Sequence, residues 1–159
     1  MTSTVLVTGG AGYIGSHACV ALIEAGTRVV ILDNLCNRNV EVVQRLQRIT
    51  GQAPVFVQGD IRDPACLDET FANNAISAVM HFAGLKAVGE SVAKPLDYYD
   101  NNVVGTLKLL AAMERAGVDQ LVFSSSATVY GDPASTPIRE NFPLSATNPY
   151  GRSKLMVEE

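Results

Sequence analysis

This sequence is short of the features that mark several large functional classes. It has no basic excess: 12 lysines and arginines stand against 16 acidic residues, a formal charge of -4, so there is no basic stripe for nucleic acid or an anionic membrane. It has no paired cysteines. Cys19, Cys36 and Cys66 are odd in number, widely spaced and without a second Cys or His at metal-ligand spacing, which argues against a disulfide framework and a zinc site and leaves buried or inert thiols. It has no long hydrophobic run. The opening MTSTVLVTGGAGYIG lacks a basic region before its short apolar stretch and meets glycines directly after it, so it reads as neither a signal peptide nor a membrane span. Low-complexity segments and internal linkers are missing too. These absences leave a cytoplasmic, enzyme-like domain as the expectation, and 159 residues at 47% hydrophobic content suffice for one domain with a real core but not comfortably for two.

What is present is an alternation of short apolar runs with helical patterns. Thr4–Thr8 (TVLVT) is a β-branched run ending in glycines, and Ile14, Ala18, Ala21 and Leu22 follow at helical spacing until Gly26. Arg28–Leu32 is a second run, closed by Asp33-Asn34, and Val40, Val43, Leu46 and Ile49 continue as a helix to Thr50-Gly51. Pro54–Val57 is a third strand; Asp63-Pro64 then reads as an N-cap with proline at the first helical position, and Leu67 and Phe71 share a face. Ala78–Phe82 is a fourth strand. One long helix is expected over Tyr98–Ala116, with Val103, Leu107, Leu110 and Ala111 on the 3.6-residue period, and Gln120–Phe123 is a fifth strand. Strands apolar at every position and separated by helices require a parallel sheet covered on both faces, so the fold class is α/β, a doubly wound sheet of Rossmann type. In such a fold ligands bind at the loops after the strands. The polar stretch Gly131–Asn148 is expected as a long surface loop.

The loop after the first strand is Thr8-Gly9-Gly10-Ala11-Gly12-Tyr13-Ile14-Gly15. Gly9 permits a tight turn, Gly12 lets the backbone approach a pyrophosphate, and Gly15 lets the helix pack closely on the sheet. A glycine turn alone is a weak signal. Here it follows a strand, opens a helix, and is followed 18 residues after Gly15 by Asp33 at the end of the second strand, which is the context of a dinucleotide site. A carboxylate at Asp33 accepts from ribose hydroxyls and repels a 2′-phosphate, favouring NAD over NADP; Arg38 is the one feature that argues the other way. Asp60 and Ile61 are candidates to hold the adenine, by an amide or carboxylate contact and a hydrophobic wall, or else simply open a helix. His17 and His81 read as structural histidines.

Two further segments carry chemistry. Ser124-Ser125-Ser126 either merely closes the fifth strand or offers a hydroxyl that hydrogen-bonds a substrate hydroxyl and helps pass its proton. In Tyr150-Gly151-Arg152-Ser153-Lys154 a tyrosine and a lysine at i and i+4 share one helix face, and the ammonium, with the positive charge of an oxidised nicotinamide, would favour phenolate. Given the dinucleotide turn and a nearby serine, the acid-base reading is the better one.

The TGGAGYIG turn, the serine after the fifth strand and the Tyr-x-x-x-Lys helix together resemble the extended short-chain dehydrogenase/reductases. Within them HFAGLKAVGES (81–91), YYDNNVVGT (98–106), SSSATVYGD (124–132) and NPYGRSKLMVEE (148–159) closely resemble the UDP-glucose 4-epimerase family, over essentially the whole chain. A sugar-nucleotide 4,6-dehydratase would show an Asp-Glu pair where this chain has Ala127-Thr128. The resemblance implies NAD-dependent interconversion of UDP-glucose and UDP-galactose at C4 through a transient 4-ketose. It implies that Gly9, Gly12, Tyr13, Ile14 and Gly15 line the pyrophosphate, that Asp33, Asn34 and Asn37 lie along the adenosine, and that Asp60 and Ile61 border the adenine. It further implies that Phe82, Ala83, Gly84, Lys86, Asn101 and Ser124 follow the cofactor toward the nicotinamide. Ser126 and Tyr150 would touch the sugar, Tyr150 and Lys154 would also contact the cofactor, with Lys154 bridging to the nicotinamide ribose, and Tyr150, Lys154 and Ser126 would be the catalytic set. A homodimer is implied as well.

The family's chains are longer, and their second half supplies most of the UDP-sugar pocket. Residues 1–159 are therefore expected to form one NAD-binding domain of Rossmann type that breaks off within the Tyr-x-x-x-Lys helix, with Leu155 and Met156 lacking part of their packing surface. The alternative reading is a dinucleotide-binding or partner-binding module that does not turn over sugar.

Overall fold

The computed structural model describes residues 3–37 and 39–159; Arg38, the residue that weighed toward NADP, lies outside them. In chain order the elements are β1 (Thr4–Thr8), α1 (Tyr13–Glu24), β2 (Arg28–Asp33), α2 (Glu41–Thr50), β3 (Val55–Gln58), α3 (Pro64–Asn73) and β4 (Ala78–His81). There follow α4 (Val88–Ala93), α5 (Pro95–Tyr98), a π-helical segment (Tyr99–Val104), α6 (Gly105–Ala116), β5 (Leu121–Phe123), a 3-10 turn (Ala127–Tyr130) and α7 (Pro149–Glu158). They divide into two compact units. One runs up to Ala83 and takes in Lys108–Ser124; the other comprises Gly84–Leu107 and Ser125–Glu159.

The first unit holds the sheet, five parallel strands in the order β3-β2-β1-β4-β5. The side-chain alternation of a strand sends Leu6, Val30, Leu32 and Val79 to one face, where they pack with Leu67 and Phe71 of α3 and Leu109, Ala112 and Met113 of α6. Val5, Val7, Val29 and Ile31 go to the other face, against Cys19 and Ile23 of α1 and Leu46 of α2. All five residues of β1 are buried, which is why this strand reads as a continuous apolar run rather than an alternating one. Burial pushes the Cys19 thiol up to about 12, so it is an inert packing group. The α3 start behaves as its sequence predicts: the Asp63 carboxylate accepts from the Ala65 and Cys66 amides, with Pro64 in the first turn.

Two stretches depart from their sequence reading. The helix expected over Tyr98–Ala116 is there and runs without a break from Pro95 to Ala116, but it passes through a π turn at Tyr99–Val104 between α5 and α6. A π turn accommodates an extra residue, and here the adjacent Asn101 and Asn102 are both buried. The second departure is at the end of α7. Leu155 is 2% exposed and fully packed, so the expected shortfall of packing is confined to Met156, at 45% exposure. No helix among the described residues is long and apolar enough to cross a membrane.

Candidate active and cofactor site

In the first unit the strand order reverses between β1 and β4, and the glycine turn sits at the carboxyl end of β1 beside the loop leaving β4. Gly9 lies at φ +69, and a Cβ there would come within 2.6 Å of the Ala83 nitrogen and 2.8 Å of the Phe82 carbonyl carbon. Only glycine lets the two loops approach this closely. A Cβ on Gly15 would run into the Gly9 carbonyl oxygen, so the third glycine sets how tightly α1 packs on the turn. The N-cap of α1 is Gly12, which brings no side-chain acceptor to the first turn, whereas α3 is capped by Asp63 and α7 by Asn148. Tyr13 and Ile14 are 70% and 58% exposed at that end. An uncapped and accessible helix start next to a glycine turn fits a pyrophosphate.

The Asp33 carboxylate ties the turn to the end of β2. Oδ2 accepts from the Ala11 amide at 3.0 Å and Oδ1 from the Leu35 amide at 2.9 Å. An ionised carboxylate offers about four acceptor positions, so two remain for ribose hydroxyls. Asn34 follows the same pattern, accepting from the Cys36 amide at 3.1 Å, and these local bonds hold Leu35 at φ +58. The Asn34 amide also donates to Asp60 Oδ2 at 3.0 Å, joining the loops after β2 and β3. Asn37 is exposed in the same loop. Ile61 differs from its sequence expectation: at 5% exposure its side chain belongs to the core packed on α3 and α6, so it provides no hydrophobic wall and has only its backbone to offer. His81 is buried, hydrogen-bonded through Nδ1 to Thr8 Oγ1 at 2.6 Å and stacked on Phe123, as a structural histidine should be. The Ser124 amide donates to the His81 carbonyl at 3.1 Å, and this contact positions Ser124 at the end of β5.

The second unit gathers the Tyr-x-x-x-Lys helix, the serine turn and the loop after β4. Ser126 caps the 3-10 turn, its Oγ accepting from the Thr128 amide and lying 2.9 Å from Thr128 Oγ1. α7 packs on this turn through Gly151, where a Cβ would sit 2.8 Å from the Thr128 carbonyl oxygen. The glycine of the Tyr150-Gly151 pair is thus what lets the tyrosine helix approach the serine turn. The sequence displayed that glycine but gave no reason to single it out.

Asn102, also missed in the sequence, is the hub of this unit. Its Oδ1 accepts from the Leu85 amide at 2.8 Å and the Asn101 side chain at 2.9 Å, while its Nδ2 donates to the Leu85 carbonyl at 2.9 Å and Ser153 Oγ at 3.0 Å. All four hydrogen-bonding positions of one amide are used. Ser153 Oγ donates onward to the Tyr150 carbonyl at 2.7 Å, so the loop carrying Gly84, Leu85 and Lys86 is linked to α7 through a single buried side chain. Lys86 itself is exposed. Two tyrosines compete as the acid-base group, and their surroundings separate them. Tyr98 is 1% exposed, and burial, with the Glu90 carboxylate beside it, pushes its phenol up; its hydroxyl bonds Ala87 and Glu90 and fixes the loop. Tyr150 is only half-buried and remains accessible.

Lys154 is 6% exposed, and a Cβ on Gly84 would lie 3.6 Å from its Nζ. Burial pushes its ammonium down to about 8. Relative to an ordinary value near 10.5, that corresponds to roughly 3 kcal/mol spent on keeping the charge buried at neutral pH. Because the folded value is the lower one, the unfolded chain binds more protons between about 8 and about 10.5, and stability rises with pH through that window. Lys154→Met should therefore unfold at higher urea than the unsubstituted chain at pH 7 and lack the alkaline rise. A Met variant less stable at pH 7 would show that the lysine's contacts outweigh its burial.

Together these features define the class: a Rossmann-like α/β protein with a glycine turn at the switch point of its sheet and a Tyr-x-x-x-Lys helix beside a serine turn. The chain belongs to the GDP-mannose 4,6-dehydratase family, whose sequence model matches residues 6–159, and it is a homologue of the UDP-glucose 4-epimerases across their N-terminal portion. It is 59% identical to the UDP-glucose 4-epimerase of Bacillus subtilis strain 168 over 155 residues, 98% of this chain and 46% of that one. Against the Yersinia pestis enzyme of the same name it is 63% identical over 156 residues, again 98% and 46%. The crystal structure of UDP-glucose-4-epimerase from Stenotrophomonas maltophila with bound NAD and formylated UDP-arabinopyranose matches with a TM-score of 0.96 at 58% identity, covering 98% of this chain and 46% of that one. The Bifidobacterium longum enzyme in complex with NAD+ and UDP gives 0.96 at 51% identity, covering 98% and 47%. The chain thus spans about half the length of the relatives it matches.

Proposed function

We propose that this chain carries the NAD-binding and acid-base portion of an NAD-dependent UDP-glucose 4-epimerase, acting on UDP-glucose and UDP-galactose in the cytoplasm. The reading is supported by the packing of the Tyr-x-x-x-Lys helix on the serine turn through Gly151 and Thr128, and by its Ser153 bond to the Asn102 hub, in a chain about 60% identical to epimerases. The glycine turn and α1 start hold the pyrophosphate, with Gly9, Gly12, Tyr13, Ile14 and Gly15. Asp33, Asn34, Asn37, Asp60 and the Ile61 backbone serve the adenosine. Phe82, Ala83, Gly84, Lys86, Asn101 and Ser124 serve the rest of the cofactor. When bound, NAD supplies reversible hydride acceptance at C4 of the sugar. Tyr150 takes the proton of the 4′-hydroxyl, Lys154 keeps positive charge beside it, and Ser126 orients the 4′-oxygen. The homodimer of the family belongs to the same proposal.

A 4,6-dehydratase, which the family's name suggests, is disfavoured because Ala127 and Thr128 stand where the dehydratase acids are expected. The cofactor half is tested by calorimetry. NAD should bind far more tightly than NADP, and equal affinities would sink the reading. Asp33→Ala should narrow the gap from both sides: it removes repulsion of a 2′-phosphate, and it weakens NAD because both the ribose acceptor and the Ala11 tie are lost.

A further inference from the structure

The loop after β3 contains an arrangement that the epimerase reading leaves without a task. Asp60 receives three hydrogen bonds from one neighbour: Arg62 donates its backbone amide to Oδ1 at 2.9 Å, Nε to Oδ1 at 2.9 Å, and a terminal guanidinium nitrogen to Oδ2 at 2.7 Å. Arg62 is itself anchored, since Lys108 Nζ of α6 donates to its carbonyl at 2.6 Å. The bidentate fork fixes the plane of the carboxylate as well as its position. A surface ion pair contributes little to stability, and the Arg62 and Asp60 side chains are 40% and 27% exposed, so stability alone does not account for a fork this complete.

We propose that Arg62 is a positioning residue that presents the Asp60 carboxylate to the base of the bound nucleotide and so selects a 6-amino purine over a 6-oxo purine. The inference rests on the dinucleotide reading above and adds a residue and a specificity to it. A carboxylate has about four acceptor positions. Arg62 fills both on Oδ1 and one on Oδ2, and the fourth is held by the Asn34 amide. That last bond is a single neutral one, the easiest of the four to exchange for another N–H donor. The amino group of adenine is such a donor, whereas the 6-oxo group of hypoxanthine presents lone pairs to lone pairs. The Arg62 side-chain hydrogen bonds are the leading reason the Asp60 carboxyl is held well below the usual carboxylate range. An ionised carboxylate only accepts, and so does not donate to an oxo group.

Calorimetry on the 159-residue chain with NAD and with its hypoxanthine analogue tests this. The unsubstituted chain should prefer NAD by about tenfold or more, the ratio expected from one hydrogen bond to a charged group. Arg62→Met should bring the two affinities within about threefold of each other, because the freed carboxylate rotates. Arg62→Lys should do nearly the same, a point charge being no substitute for the fork. Thermal melts of both variants report folding; Arg62 is exposed enough that both should melt as the parent does, and the Lys variant carries the test if the Met variant does not fold. If either folded variant keeps the full preference, the positioning role is wrong. A parent chain that binds both dinucleotides equally overturns the inference and spares the dinucleotide reading, whereas binding of neither overturns both.

Discussion

Tyr150→Phe is expected to lower UDP-galactose epimerisation by about a hundred- to ten-thousandfold, the range lost with a positioned acid-base group, and to leave NAD affinity unchanged. The measurement needs a chain that turns over. A chimera joining residues 1–159 to the remaining part of the Bacillus subtilis relative, 59% identical over the shared 155 residues, provides one. The substitution removes one oxygen and no packing. Helix α7 is held by elements other than the phenol: the Asn148 cap donated to by the Gly151 amide at 2.8 Å, the Ser153 bond to the Tyr150 carbonyl and the Asn102 hub. Removing the hydroxyl leaves each of these supports in place. Turnover within a few-fold of the parent chimera would make Tyr150 an ordinary helix residue and favour the reading of this chain as a dinucleotide-binding module.

Legibility in the sequence followed the physics of each element. The strands of the sheet were readable because burial on both faces demands apolar residues at every position, and the glycine turn because Gly9 and Gly15 answer steric demands that no other residue meets. The cap at Asp63-Pro64 was readable because it is local. The π segment was not, since Val103, Leu107 and Leu110 keep a helical period across it and nothing in the spacing of Asn101 and Asn102 marks the extra residue. Ile61 was misread as a wall for the adenine because a hydrophobic residue after a strand can face either a ligand or the core, and spacing does not distinguish them. Gly151, Asn102 and Arg62 act only through partners distant in sequence or through geometry, Thr128, Leu85 with Ser153, and Asp60, so their roles emerge only from coordinates.

The second large effect concerns the polypeptide of residues 1–159 by itself. It is expected to bind NAD weakly and to show no measurable conversion of UDP-galactose to UDP-glucose. The cofactor contacts proposed above all lie within it, and the first unit, which carries those proposed for the adenosine and pyrophosphate, has its own two-faced core. For the sugar nucleotide, by contrast, only Ser126 and Tyr150 are proposed as contacts. Efficient hydride transfer requires C4 to be held within a fraction of an ångström, and that precision comes from binding energy on the non-reacting part of the substrate, here the uridine diphosphate. Two hydroxyls at the reacting end cannot supply it. The chimera should recover turnover because it restores groups for the diphosphate and base, and Tyr150→Phe in the chimera shows that the recovered activity runs through this chain's own tyrosine. If a coupled assay detects UDP-glucose formation by residues 1–159 alone, and Tyr150→Phe abolishes it, then the two hydroxyls position the sugar by themselves and the argument from remote binding energy fails for this protein.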